Sequence, residues 1–155
     1  MSCLCLERLL TEASPIYYYV FIPMQISELK PGDKITTSFF TLEPERIRDY
    51  IEAVEESSGY FTEWSPGAIA PPVACVSLAV ASLFTDMKLP DGTVHTSQEI
   101  TFQRQVKVGE KLLCQASVVR NQVRRNLRLM NLRLEIDDET GNKVVTGETS
   151  LVINQ

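Results

Sequence analysis

Between Ala68 and Phe84 the chain reads AIAPPVACVSLAVASLF, and past the Pro71-Pro72 pair twelve residues follow without a charge. That is enough for about three helical turns and too short to span a bilayer. Proline is favoured at the first helical position, where its missing N–H would have no partner anyway, so Pro72 predicts a helix start and Thr85-Asp86 its end. A helix apolar on nearly every side needs burial on nearly every side. Everything from Val94 to Ile153 reads as strands, so the simplest burial is a strongly curved antiparallel sheet wrapped around a central helix, an α+β architecture.

The chain has 155 residues, enough for one domain, expected over residues 24–155. Its formal net charge of −5 gives a phosphate backbone no bulk reason to bind, which argues against nucleic acid. Cys3, Cys5, Cys75 and Cys114 show neither CxxC spacing nor a histidine at zinc-ligand spacing, so no metal site is expected. Cys75 and Cys114 fall in apolar contexts where a free thiol acts as a small core side chain, a usage that fits a reducing cytoplasm. The apolar stretch Pro15 to Pro23 is preceded by Glu7, Arg8 and Glu12, which interrupt a signal-peptide core, and no membrane span is expected. Residues 1–23 read as an upstream extension, disordered or loosely docked, or as a misassigned start ahead of Met24.

Lys30-Pro31-Gly32-Asp33 is turn chemistry and precedes a short strand from Lys34 to Phe40. Glu43-Pro44-Glu45 opens an amphipathic helix with Ile47, Tyr50, Ile51 and Val54 on one face, ending near Ser57. Ser58 to Pro72 has no periodicity, and a loop of that length inside a compact domain is often functional. Four strands follow the apolar helix: Val94 to Arg104, Lys111 to Gln122, Leu127 to Asp137 and Lys143 to Ile153. In the third, Met130, Leu132, Leu134 and Ile136 alternate with polar residues, the pattern of a strand with one buried face.

This order, with Tyr50 to Val54 (YIEAV), Ala70-Pro71-Pro72, His95 to Phe102 (HTSQEITF), Val106 to Lys111 (VKVGEK) and Gly141 to Leu151 (GNKVVTGETSL), resembles the hot-dog fold and the MaoC-like hydratase and dehydratase family over roughly Ile26 to Ile153. The pattern is most similar to the non-catalytic N-terminal half of double hot-dog dehydratases, or to the substrate-binding subunit of heterodimeric ones. Active members carry Asp and, five residues later, His before the core helix, which suits a reaction needing a base for water and an acid for the α-carbon. Aligned through YIEAV, Glu56 stands at the Asp and Phe61 at the His. Phe61 shuttles no proton at any pH.

The resemblance implies a subunit of an enoyl-thioester hydratase or 3-hydroxyacyl-thioester dehydratase, a lyase of fatty acid metabolism, that binds the acyl chain and lacks the dyad. Its partner would be a second copy or a catalytic MaoC-like subunit, and its substrate a thioester of coenzyme A or acyl carrier protein, with no other cofactor. Gly59, Phe61, Gly67, Ala68, Ile69, Ala70, Pro71, Val73 and Val76 are the substrate-binding candidates, the helix N-terminus offering N–H groups to a thioester carbonyl. Arg124 and Arg125 at a hairpin tip are candidates for the carrier's phosphates, against the blander reading of a soluble hairpin end. Glu56 and His95 are the candidate acid/base groups of an alternative, a self-sufficient hydratase or thioesterase; a helix-face carboxylate and a lone strand histidine are more often structural. A second alternative is a thioester-binding hot-dog protein without catalysis.

Overall fold

The computed structural model describes residues 25–61 and 63–154; the expected extension at 1–23 lies outside them. The apolar stretch forms one helix, α2 (Pro72–Met87), with Pro72 at its first turn and Lys88 closing it in the left-handed region at φ 49°. A five-stranded antiparallel sheet receives it: β1 (Lys34–Thr41), β2 (Val94–Phe102), β3 (Lys111–Arg124), β4 (Leu127–Asp138) and β5 (Lys143–Asn154), in the order β1-β3-β4-β5-β2. Each of the four pairings has one register shift, at Lys34/Thr36, His95/Ser97, Val118/Arg120 and Ile136/Asp137. Bulges raise local twist and bend a strand, so long strands can curve around a helix instead of running flat past it.

The concave face carries Leu112, Cys114, Ala116 and Val118 from β3, Met130, Leu132, Leu134 and Ile136 from β4, and Val145, Leu151 and Ile153 from β5, all buried. The expected alternation in β4 therefore holds on its apolar side. On its polar side Asp137 departs from it: the carboxylate is buried beside the Lys143 ammonium, 3.0 Å away, and the Gln115 amide.

Two expectations are corrected. The first helix, α1 (Pro44–Ala53), stops four residues before Ser57. Glu55 takes φ 52°, its N–H bonds the Glu52 carbonyl and the Glu56 N–H bonds Ile51, a Schellman closure with glutamate where glycine is usual. Val54 is thereby left outside the helix and exposed. The second correction concerns α2, which is not buried on nearly every side. Ala74, Cys75, Val76, Ala79, Leu83 and Met87 face the sheet, while Val73, Ser77 and Ala81 form an open stripe that runs into half-buried Val80 and Phe84. The described residues form one sheet, and it covers one side of the helix.

The stripe meets β2, one of the two edge strands, where the Phe84 ring stands edge-on to His95 with centroids 5.7 Å apart. Beside it, β2 is seated against β5 at Gly147, where any Cβ would run into the Glu99 carbonyl oxygen. Backbone cannot move aside as a flexible side chain can. Gly147→Ala is expected to prise β2 from β5 and cost about 3 kcal/mol, read as a fall in the urea midpoint with faster amide exchange along β2.

Candidate functional site

The segment between α1 and α2 divides into an open half and a pinned half. From Glu55 to Pro66 it is largely exposed, with Tyr60 86% accessible and Trp64 also exposed. Gly59, at φ 77°, turns the chain in open space, and Phe61 is half-buried. From Gly67 onward the segment pairs with the loop joining β2 to β3. The Gly67 N–H donates to the Val108 carbonyl at 2.9 Å, the Val108 N–H to Ala68 at 2.8 Å, and the Ala70 N–H to Val106 at 2.9 Å, with Ile69 opposite Lys107. Gly67 enters this short ladder at φ 91°, a backbone that side-chain-bearing residues rarely adopt.

Seven of the nine substrate-binding candidates lie on this strap and two, Val73 and Val76, on the first turns of α2, and they do not share one face. Ala70, Pro71 and Val76 are turned into the core, Ala68 is half-buried, and Ile69 and Val73 are about half exposed, beside the open stripe of α2. At the helix start Pro71 and Pro72 carry no N–H, and the Ala74 N–H folds back onto the Pro71 carbonyl at 3.0 Å. The Val73 N–H is left with no acceptor among the described residues. A carbonyl oxygen brought to this end of α2 would meet that donor and the positive end of the helix dipole.

The acid/base candidates do not converge here. Glu56 accepts the Ser58 N–H at 2.6 Å, and Ser58, through side chain and backbone, holds the carboxyl below its usual range. An exposed carboxyl so depressed carries no proton to give at neutral pH and takes one reluctantly. His95 lies toward the other end of α2: Phe84, which it touches, is twelve residues beyond Pro72, roughly 18 Å along the axis. Its Nε2 is 3.0 Å from the Ser97 carbonyl, and the ring is exposed. Arg124 and Arg125 are on the β3–β4 hairpin, whose Arg128 shares a surface hollow with Met87 and Lys88 at the C-terminal end of α2. Cys75 and Cys114 are buried free thiols, and burial pushes both up to about 12, which removes them as nucleophiles near neutrality. Among the described residues no group of three or more His, Cys, Asp or Glu is placed to hold a metal ion, and no helix is long and apolar enough to cross a membrane.

Sequence reading missed the clamp beneath the strap. Arg104 donates to both oxygens of Glu110 and, at 3.2 Å, to Asp138, so one guanidinium ties the β2–β3 loop to the end of β4. Glu110 in turn accepts the Lys107 N–H at 2.9 Å, fixing the residues to which Gly67, Ala68 and Ala70 bond. Three charges separated by up to 34 positions leave no local signal; the only hint was an arginine at the end of a strand. Burial pushes the Glu110 carboxyl up, but the Arg104 hydrogen bond and the Lys107 N–H outweigh it, and the net shift is downward. A carboxyl depressed by folding stabilises the fold above its unfolded value, roughly 4.3, and loses that contribution as pH falls through the folded value. Arg104→Met is expected to cost about 2 kcal/mol at neutral pH and to flatten the loss of stability below about pH 4, both read from urea unfolding across a pH series.

The family model for the FAS1-like dehydratase domain region matches residues 29–147. A UPF0336 protein of Streptomyces coelicolor is 28% identical over 121 residues, covering 70% of this chain and 81% of that protein. The monoamine oxidase regulatory protein of Archaeoglobus fulgidus superposes with a TM-score of 0.69 at 18% identity, covering 86% of this chain and 95% of that one. The C-terminally truncated HadBC (3R)-hydroxyacyl-ACP dehydratase complex of Mycobacterium tuberculosis gives 0.65 at 19% identity, with 84% and 99% covered. The matched region runs from the turn before β1 to the middle of β5, taking in both helices and the strap, and the chain belongs to the FAS1-like dehydratase-region family with a MaoC-like hot-dog fold.

Proposed function

We propose that this chain is the acyl-binding, dyad-less subunit of an enoyl-thioester hydratase or 3-hydroxyacyl-thioester dehydratase. The observation that carries the reading is the open stripe of α2 reaching β2, an edge strand with no further strand beside it among the described residues; the Phe61 that alignment through YIEAV sets against the family's histidine lies in the neighbouring strap. An edge strand presents free N–H and C=O groups along its whole length, and edge pairing with a second hot-dog protomer would satisfy them while covering Val73, Ser77 and Ala81. The partner is a catalytic MaoC-like subunit. The M. tuberculosis dehydratase that this fold resembles is itself a complex.

On this reading the substrate is a thioester of coenzyme A or acyl carrier protein. Its carbonyl lies near the Val73 N–H, and its acyl chain runs along Ile69 and Val73 between the two protomers. Proton transfer belongs to the partner, because a general acid or base has to stand within hydrogen-bond reach of the reacting atom. Gly59 and Gly67 let the strap turn close to the ligand without side chains in the way.

The test follows the loss of enoyl-thioester absorbance with the purified chain alone and with a MaoC-like partner carrying the Asp and His. The expected outcome is silence alone and turnover together. Enzyme-like turnover by the chain alone, lost in Glu56→Gln or His95→Ala, would establish the self-sufficient hydratase instead; thioester binding with no partner able to restore turnover would leave a binding protein. Ala81→Asp places a charge on a surface already exposed in the protomer, so folding is expected to survive. Association should weaken by about 100-fold, because the carboxylate would be desolvated in the interface; analytical ultracentrifugation reads it.

A further inference from the structure

The β3–β4 hairpin carries a concentration of positive charge that the strap and α2 do not use. Arg124 pairs with Leu127, which leaves Arg125 and Asn126 as the two-residue turn. Both Arg124 and Arg125 are exposed, and neither guanidinium makes a hydrogen bond or ion pair among the described residues. Arg120 is folded onto the Gln122 side-chain oxygen at 2.9 Å, and the adjoining turn, bonded to β3 through the Gly32 N–H and the Val118 carbonyl at 2.8 Å, sets exposed Lys30 and Asp33 beside Lys34 at the start of β1. In a chain of net charge −5, this end is locally basic.

Two further features separate the tip from an ordinary solvated turn. Arg125 sits at φ 56°, where hairpin loops prefer glycine, asparagine or aspartate because a Cβ is strained there. Folding alone would favour glycine, so the arginine is kept at a cost to the hairpin. Leu127, opposite Arg124 on the same face of the hairpin, is 41% exposed. A convex turn cannot enclose a small anion. Arginine beside an exposed aliphatic side chain suits a broad acidic protein surface, which takes charge-assisted hydrogen bonds from the guanidinium groups and covers the apolar flank.

We propose that the β3–β4 hairpin, through Arg124 and Arg125 with Leu127, is a docking surface for an acidic face of a protein partner. The surface is separate from the open stripe of α2 and does not depend on the thioester reading. The experiment measures fluorescence anisotropy of a labelled glutamate-rich helical peptide titrated with the full chain at low salt. Binding is expected to weaken about fivefold in the Arg124→Ala/Arg125→Ala variant and on raising the salt, and to be unchanged in Arg46→Ala on α1. Arg125→Gly separates docking from folding: it should raise the melting temperature and still weaken the peptide. Equal binding by the double variant would overturn the proposal. So would inorganic pyrophosphate or duplex DNA binding in preference to the peptide with the same arginine dependence, which would assign a phosphate site instead.

Discussion

Everything in this fold depends on how closely α2 can lie in the hollow of the sheet. The helix face turned inward carries Ala74, Cys75 and Ala79 among its larger members Val76, Leu83 and Met87. Small side chains at the line of closest approach let the helix axis sink, and the larger ones then fill the space on either flank. Against them stand Leu132, Leu134 and Ile136 at the centre of the sheet, each fully buried, contributing about 1.5–3 kcal/mol apiece on leaving water. The bulges in the strand pairings belong to the same constraint, since an uncurved sheet would meet the helix along one strip only. Curvature, helix depth and core volume are one solution, and changing any of them disturbs the other two.

From that packing follows the position of the strap. Because α2 is anchored along its whole length, its first residue is fixed in space, and the chain must cross the end of the sheet to reach it. Pro71 and Pro72 remove the donors that a helix start would otherwise have to cap, and no side chain caps them here. The preceding four residues then find their hydrogen bonds on the β2–β3 loop, which the Arg104 clamp holds from below. The one donor left over, at Val73, lies where the buried helix becomes an exposed one. A fixed donor at a boundary between core and open surface is a feature a binding site can be built around, and it results from packing requirements rather than from any dedicated polar residue.

The elements most visible in the sequence were those with a single period or a strong breaker. The uncharged run after Pro72, the alternation of Met130 to Ile136 and the turn chemistry at Pro31-Gly32 each read directly, because burial and backbone preference act there on neighbouring residues. The end of α1 was misplaced because the closure uses Glu55 in a left-handed conformation, and no glycine marks it. The Arg104 clamp was invisible for a different reason: Glu110 and Asp138 come to it only when the strands pair, and pairing register is not written in local spacing. At the candidate site the sequence alone set Glu56 and Phe61 against the family dyad, whereas the failure of Glu56 and His95 to converge required the fold.

The uncharged helix shows how a correct pattern can lead to a wrong inference about one chain. Apolar residues around nearly the whole circumference of α2 do imply removal from water around nearly the whole circumference, and the sheet of this chain provides about half of it. The remainder, Val73 and Ala81 with Val80 and Phe84 beside them, reaches at Phe84 an edge strand that pairs on one side only among the described residues. Two different kinds of unsatisfied surface, apolar side chains and strand hydrogen-bonding groups, coincide on the same border. On the proposed reading a single partner relieves both, and it brings to the Val73 amide the proton-transfer groups that the strap lacks. The same surface would then serve stability and chemistry together, and the helix and strand edge would have a use in the assembly that catalysis alone would not supply.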